Sequence, residues 1–162
     1  MFVLGIDPGL TRTGFGVLAV GRGVPRVVTA GVLHTSPDDP APQRLAELHR
    51  DLLELIEETS PQVMALERVF IRRNITNAMT VARASGIAML AAAESGIPVR
   101  EYTPTAVKLA VAGDGNADKA QVASLVSRRL RLEALDGPAD LADALAVALC
   151  HAQQSRIEEA VS

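Results

Sequence analysis

The sequence predicts an α/β fold with a five-stranded mixed sheet flanked by helices, and three observations support this prediction. The first segment alternates apolar β-forming stretches with turns, which is typical of an antiparallel meander. Residues 43–59 then place leucines on one helical stripe and predict a crossover helix. After that helix, two further apolar strands alternate with helices, as they do in α/β proteins.

The meander consists of three predicted strands. The first ends at Asp7, where Pro8 and Gly9 suit a tight turn. The second is the apolar stretch that includes residues 18–20, and the third covers residues 26–35 after a Gly-Arg-Gly turn. Side chains alternate along a strand, so Asp7 lies on one face at the end of a buried strand. A charge there needs a partner such as a metal ion, although Asp7 could also simply cap the turn.

The remaining elements follow in a regular order. Residues 62–67 predict a short strand that ends in Glu67, and residues 75–95 predict a long helix rich in small residues. A fifth strand at 98–103 precedes helices at 104–111, 119–132 and 138–158. We therefore expect one domain over residues 1–158, with residues 159–162 as a short tail.

The predicted topology brings four carboxylates together. Each hairpin reverses the chain and the crossover helix restores direction, so the first and fourth strands are parallel and end at the same sheet edge. That edge carries Asp7 and Glu67, and ligands bind at the carboxyl ends of such strands. Asp140 and Asp143 lie three residues apart on one face of the last helix. Four carboxylates suit Mg²⁺ or Mn²⁺, and two such ions would clamp a phosphodiester.

Charge and composition narrow the class of partner. The net charge of −3 is uneven: residues 68–131 hold ten Lys/Arg and four Asp/Glu, a net of +6, and the rest of the chain is acidic. A basic segment in an acidic chain favours one surface for a polyanion. The single cysteine excludes an internal disulfide, and the apolar runs are shorter than the roughly 20 residues of a membrane span. We expect a cytoplasmic protein with no membrane partner.

The chain resembles the RuvC family of bacterial Holliday-junction (crossover junction) endodeoxyribonucleases over nearly its whole length. The motifs that carry the resemblance are Gly-Ile-Asp-Pro-Gly at 5–9, Thr-Gly-Phe-Gly at 13–16, Leu-Glu-Arg-Val-Phe at 66–70, Val-Lys at 107–108, the glycine-rich segment 113–122 and Ala-Asp-Leu-Ala-Asp-Ala-Leu-Ala at 139–146. The resemblance implies an RNase H-like fold of the retroviral-integrase superfamily. It also implies a homodimer that uses two Mg²⁺ or Mn²⁺ ions per site to make symmetric nicks in four-way DNA junctions, with ligatable 5′-phosphate and 3′-hydroxyl ends.

The resemblance also assigns residues. Asp7, Glu67, Asp140 and Asp143 match the family's catalytic and metal-binding acids. The DNA-binding candidates share a place in the matched motifs or in the basic loop after Glu67: Phe70, Arg68, Arg72, Arg73, Lys108 and Lys119. Phe70 would stack on an unpaired base; the alternative is an anchor for its loop. Thr11, Arg12 and Thr13 are weaker candidates for DNA contact.

The oligomeric state and the partners follow from the same resemblance. The small residues between Ala78 and Ala93 favour close helix packing, either within the monomer or across a two-fold dimer. RuvA and RuvB, the branch-migration proteins, are implied as partners. Three alternatives stay open at this point: a YqgF-like nuclease acting on RNA, a nucleotide-binding module of the actin and sugar-kinase type, and a junction binder without activity.

Overall fold

We describe the fold from a computed structural model, in which residues 1–71, 74–133, 135 and 137–161 are described. The strands are β1 (Phe2–Asp7), β2 (Arg12–Ala19), β3 (Arg26–His34), β4 (Val63–Glu67) and β5 (Val99–Tyr102). The helices are α1 (Ala41–Thr59), α2 (Ile75–Glu94), α3 (Pro104–Ala112), α4 (Lys119–Arg129) and α5 (Ala139–Val161). The predicted element order is confirmed.

The strands form one mixed sheet in the order β3-β2-β1-β4-β5. The meander β1-β2-β3 is antiparallel, whereas β4 runs parallel to both β1 and β5. The strand β2 begins earlier than its apolar stretch suggests, because Arg12 already pairs with His34. Gly14 and Gly16 are therefore ladder residues, opposite Asp7 and Gly5, and are not part of the turn.

Helices cover both faces of the sheet. On one face α1 and α2 bury large side chains of β1, β2 and β4, such as Leu4, Ile6 and Leu66. On the other face α3, α4 and α5 pack against Val3, Leu18 and the small Ala65. The face that carries the odd-numbered residues of β1 and β4 is thus the α5 face.

The helix α5 lies directly on β1 and β2 because glycines make room for it. A Cβ at Gly5 would lie 2.2 Å from the Ala144 carbonyl oxygen, and one at Gly14 would lie 2.1 Å from the Asp140 carbonyl oxygen. Neither distance is sterically possible, so a side chain at either position would push α5 away from the sheet. The close approach fixes where the first turns of α5 lie.

Burial along α5 extends around the helix and is not confined to one apolar stripe. All residues from Ala144 to Ala152 are buried, because the sheet covers one side of the helix and α3 and α4 cover the other. The helix also continues through residues 159–161, which the sequence assigns to a tail, whereas Ser162 lies outside the described residues.

Candidate active site

Asp7 and Glu67 occupy equivalent positions at the ends of parallel strands. Ile6 of β1 pairs with Leu66 of β4, so the next residue of each strand lies side by side at the sheet edge. Both carboxylates project on the α5 face, since they alternate with the buried residues Ile6 and Leu66 of the opposite face. The strand arrangement predicted from the sequence is therefore confirmed.

Asp140 and Asp143 reach the same edge from the first turns of α5. Asp140 lies over β2. Its backbone carbonyl oxygen fills the space that a side chain at Gly14 would take. Asp143 lines the cleft at the sheet edge together with Asp7 and Glu67. The structure thus assembles four carboxylates from three elements that are up to 136 residues apart in the sequence.

Asp7 lies within the electrostatic influence of the other three acids. Its pKa is raised from 3.8 to about 8, first by burial and then by the charges of Asp143, Glu67 and Asp140. The pKa of Glu67 is also raised, mainly by burial and secondly by Asp143, while Lys119 and Lys108 lower it. Like charges at close range disfavour ionisation of all of them together, and nearby cations favour the ionised form.

Two side chains supply such cations. Arg12 Nη2 lies 2.9 Å from Asp140 Oδ2, and Lys119 Nζ lies 3.0 Å from Asp143 Oδ2. The hydrogen bond to Asp143 raises the pKa of Lys119. Among the described residues, no three acids, histidines or cysteines converge on a point that could hold a metal ion. Two of the four acids are instead engaged with these cations.

Three of the carboxylates, those of Asp7, Glu67 and Asp143, form one wall of a cleft of about 410 Å³. Its other lining residues include four of the predicted DNA-binding residues: Arg68, Phe70, Lys108 and Lys119. The cleft is open to solvent and has both charged and apolar walls, which suits a nucleotide strand with a base and a phosphate.

Local structure holds these residues around the cleft. Lys119 is the first residue of α4, where Asp118 and Gln121 form a reciprocal capping box. Lys108 lies on α3, which begins at Pro104 with Thr103 as its N-cap. The Arg68 backbone N–H donates to the Tyr102 carbonyl oxygen at 2.8 Å and fixes the start of the loop after β4.

Phe70 lies in that loop with 55% of its surface exposed. An aromatic ring that anchored the loop would be buried, so its exposure favours the DNA-stacking hypothesis over the structural one. Arg72 and Arg73, also predicted to bind DNA, lie outside the described residues. Of the three weaker candidates, Thr13 is buried and donates to the Gly9 carbonyl oxygen at 2.6 Å, so it serves the turn.

Comparison with known proteins identifies the family. Residues 3–151 match the sequence profile described as crossover junction endodeoxyribonuclease RuvC. The chain belongs to the RuvC family. A RuvC from Salinispora arenicola is 53% identical over 152 residues, which cover 93% of this chain and 87% of the relative.

Solved RuvC structures agree with this assignment. The Thermus thermophilus RuvC structure matches with a TM-score of 0.90 at 42% identity, over 98% of this chain and 97% of that chain. The T. thermophilus RuvC complex with Holliday junction substrate matches with a TM-score of 0.88 at 39% identity, covering 97% and 96% of the two chains. The expected RNase H-like fold and crossover junction endonuclease activity are confirmed, and the RNA-nuclease, nucleotide-binding and inactive alternatives are not supported.

Sequence reasoning gave little weight to one residue of this RuvC site. Arg12 is 128 residues from its partner Asp140, and nothing in the local sequence links the two. The glycines at 5, 14 and 16 are the feature of the sequence that could have indicated this contact, because they mark the strands over which a helix packs closely.

Among the described residues, no helix is long and apolar enough to cross a membrane.

Proposed function

We propose that Asp7, Glu67, Asp140 and Asp143 hold two Mg²⁺ or Mn²⁺ ions with which this RuvC-family nuclease nicks four-way DNA junctions. The observation that supports this most strongly is the placement of Asp7 and Glu67 side by side at the sheet edge, with the first turns of α5 packed directly over the neighbouring strands. Carboxylate oxygens are the ligands that such hard cations prefer. The donor set fits the ions once Asp140 and Asp143 leave their exposed ion pairs.

The roles of the protein groups follow from their places around the cleft. When bound, the two ions would neutralise the scissile phosphate and activate the attacking water. Asp7 and Glu67 lie at the ends of paired strands, so they would hold the ions, and through them the reacting phosphate, in a fixed place. Lys108 lies close enough to Glu67 to influence its pKa, so it adds positive charge beside that phosphate. Water oxygen bonds to phosphorus while the bond to the 3′ oxygen breaks, which leaves 5′-phosphate and 3′-hydroxyl ends.

A substrate and metal panel tests this proposal. Labelled four-way junctions, duplexes, single strands and RNA are incubated with Mg²⁺, Mn²⁺, Ca²⁺ or EDTA. We expect symmetric nicks in the junction with Mg²⁺ or Mn²⁺, and binding without cleavage with Ca²⁺, whose longer and looser coordination spoils alignment. Cleavage that persists in EDTA, or products that DNA ligase does not seal, would contradict the four-carboxylate assignment.

We also propose a homodimer, with an interface on the side of α2 that is not buried within the monomer. Ala88 and Ala92 are fully buried within the monomer against β1, β4 and α1, so these small residues serve internal packing. The outward side of α2 instead presents an exposed stripe at helical spacing: Ile75, Met79, Ala82, Gly86, Leu90 and Ala93. An apolar stripe along a whole helix suits a two-fold helix pair.

Sedimentation of a matched pair of variants tests the dimer. Met79→Glu places a charge in the centre of the stripe and should yield monomers at micromolar concentration. Leu109→Glu introduces the same change at an equally exposed residue on α3 and should leave the dimer intact. Equal behaviour of the two variants would show that the outward side of α2 is not the interface.

The proposal also includes partner proteins and a cellular location. Membership of the family supports RuvA and RuvB as partners, and we propose a cytoplasmic location. Co-purification of tagged chain with RuvA and RuvB on junction DNA tests this; recovery of neither protein would contradict it.

A further inference from the structure

Two cations pair with two of the four carboxylates of the cluster. Arg12, at the start of β2, binds Asp140, and Lys119, at the start of α4, binds Asp143, each through one short contact. Both contacts lie at the rim of the site, since the side chains of Arg12 and Lys119 are 45% and 79% exposed. By contrast, Asp7 and Glu67 make no ion pair within the described residues.

The ion pairs match what the cluster needs when no divalent ion is bound. Four carboxylates at one edge repel one another, and a guanidinium and an ammonium offset part of that repulsion. Because both pairs are exposed to water, they are weak and open easily. The same two carboxylates are needed as metal ligands, so the ion pairs and the metal compete for the same oxygens.

We propose that Arg12 and Lys119 are exchangeable counter-cations that bind Asp140 and Asp143 in the metal-free protein and bind phosphates of the junction once divalent ions take those carboxylates. This inference rests on the proposed metal site. A divalent ion repels the two cations, and in the complex the nearest remaining anions are DNA phosphates. The planar fork of Arg12 suits a phosphate as well as it suits a carboxylate.

The exchange makes metal binding and DNA binding cooperative. A metal ion that frees Arg12 raises affinity for DNA, and by linkage the DNA raises affinity for the metal by the same factor. A permanent DNA contact would strengthen binding equally with and without metal. The effect of the metal on the contribution of Arg12 therefore distinguishes an exchangeable counter-cation from an ordinary basic residue.

The experiment measures the Kd of a labelled four-way junction for wild type and Arg12→Gln in EDTA and in Ca²⁺. In EDTA, where Arg12 is engaged with Asp140, we expect the two proteins to agree within about twofold. In Ca²⁺ the variant should bind about tenfold more weakly, as expected for one charge-assisted contact. Its salt dependence should also fall by about one phosphate contact in Ca²⁺ and not in EDTA.

Arg22→Gln is the matched control, because Arg22 is an exposed arginine in the turn between β2 and β3 at the opposite end of the sheet. It removes the same charge and should change neither Kd by more than about twofold. Lys119→Gln should repeat the pattern of Arg12→Gln. Equal weakening of Arg12→Gln in both buffers, or no weakening in either, would overturn the exchange.

Calorimetric titration of Ca²⁺ into metal-free protein separates this inference from the proposed function. Asp7→Asn should lose Ca²⁺ binding, whereas Arg12→Gln should retain it with higher affinity because no cation competes for Asp140. Unchanged Ca²⁺ binding by Asp7→Asn would refute the metal site itself. Loss of Ca²⁺ binding by Asp7→Asn, together with a ratio of the Arg12→Gln Kd to the wild-type Kd that is the same in EDTA and in Ca²⁺, would refute the exchange alone.

Discussion

The two faces of the central sheet are built from residues of different size, and only one of them carries the candidate catalytic acids. The face under α1 and α2 is filled by large side chains such as Leu4, Met64 and Leu52. The face under α5 offers Gly5, Gly14 and Gly16, so the helix backbone contacts the strands directly. Large side chains suffice for stability, whereas the close backbone approach fixes where the acids of α5 lie relative to β1 and β2.

The difference explains why the acids lie where they do. Asp140 and Asp143 reach Asp7 only because α5 sits at backbone distance from β1 and β2. A helix held off by leucine side chains would carry its acids several ångströms further away. Variants on the two faces should therefore separate stability from activity.

The largest expected effect comes from Asp7→Asn on the α5 face. The substitution keeps the shape of the residue and removes one metal-binding charge, so cleavage should fall by about a thousandfold or more. Junction binding should persist, because phosphate contacts of the basic residues supply most of the affinity. Nicking and gel-shift assays on one preparation measure both, and wild-type cleavage by the variant would refute the role of Asp7.

Gly5→Ala tests the backbone approach itself. The added Cβ meets the Ala144 carbonyl oxygen, which cannot move without shifting α5, so we expect a loss of about 3 kcal/mol in stability. Because the acids move with the helix, cleavage should fall further than the folded fraction does. Urea unfolding and single-turnover cleavage at low temperature give the two quantities.

Leu52→Ala on the opposite face is the control for Gly5→Ala. Leu52 is fully buried in α1, and its truncation should lower stability by about 2–5 kcal/mol through a cavity. The α5 face keeps its geometry, so the folded fraction should cleave at the wild-type rate. Similar losses of cleavage per folded molecule in both variants would refute the division of roles between the faces.

What can be predicted from the sequence alone also differs between the two faces. Element order, strand direction and the four acids follow from periodicity, turn residues and the resemblance to RuvC. The ion pair of Arg12 with Asp140 does not follow, because it depends on which turn of α5 crosses β2. The interface proposed for α2 could not be predicted from the sequence either, because it depends on which residues the fold buries. Ala88 and Leu90 have similar local sequence and opposite exposure.

Metal-free stability should depend on pH through Asp7. Its pKa is about 8 in the folded state and 3.8 in the reference state, so folding favours the protonated form. That contribution is present at low pH and is lost as the pH rises towards 8. In EDTA at pH 9, Asp7→Asn should therefore be more stable than wild type by roughly 2–4 kcal/mol, and the difference should shrink towards pH 4.

Thermal or urea unfolding across that pH range measures the effect. Asp39→Asn removes a carboxylate from an exposed loop and should follow the wild-type curve. Addition of Ca²⁺ should abolish the advantage of Asp7→Asn, since the ion neutralises the cluster in wild type. A constant difference between Asp7→Asn and wild type at all pH values would contradict the burial of a repelled charge.

The smallest effect is expected at Phe70, which belongs to neither face and lies at the mouth of the cleft. Stacking on a base contributes about 1–3 kcal/mol, so Phe70→Ala should slow cleavage about tenfold while binding changes little, because several phosphate contacts remain. The metal site and the fold should be unaffected, since the ring is more than half exposed and supports no core. A fluorescent base analogue at the crossover should be quenched by wild type and not by the variant, and Phe70→Trp should restore both signals. Wild-type cleavage by Phe70→Ala would instead show that the chemistry is confined to the α5 face and that the aromatic ring takes no part in it.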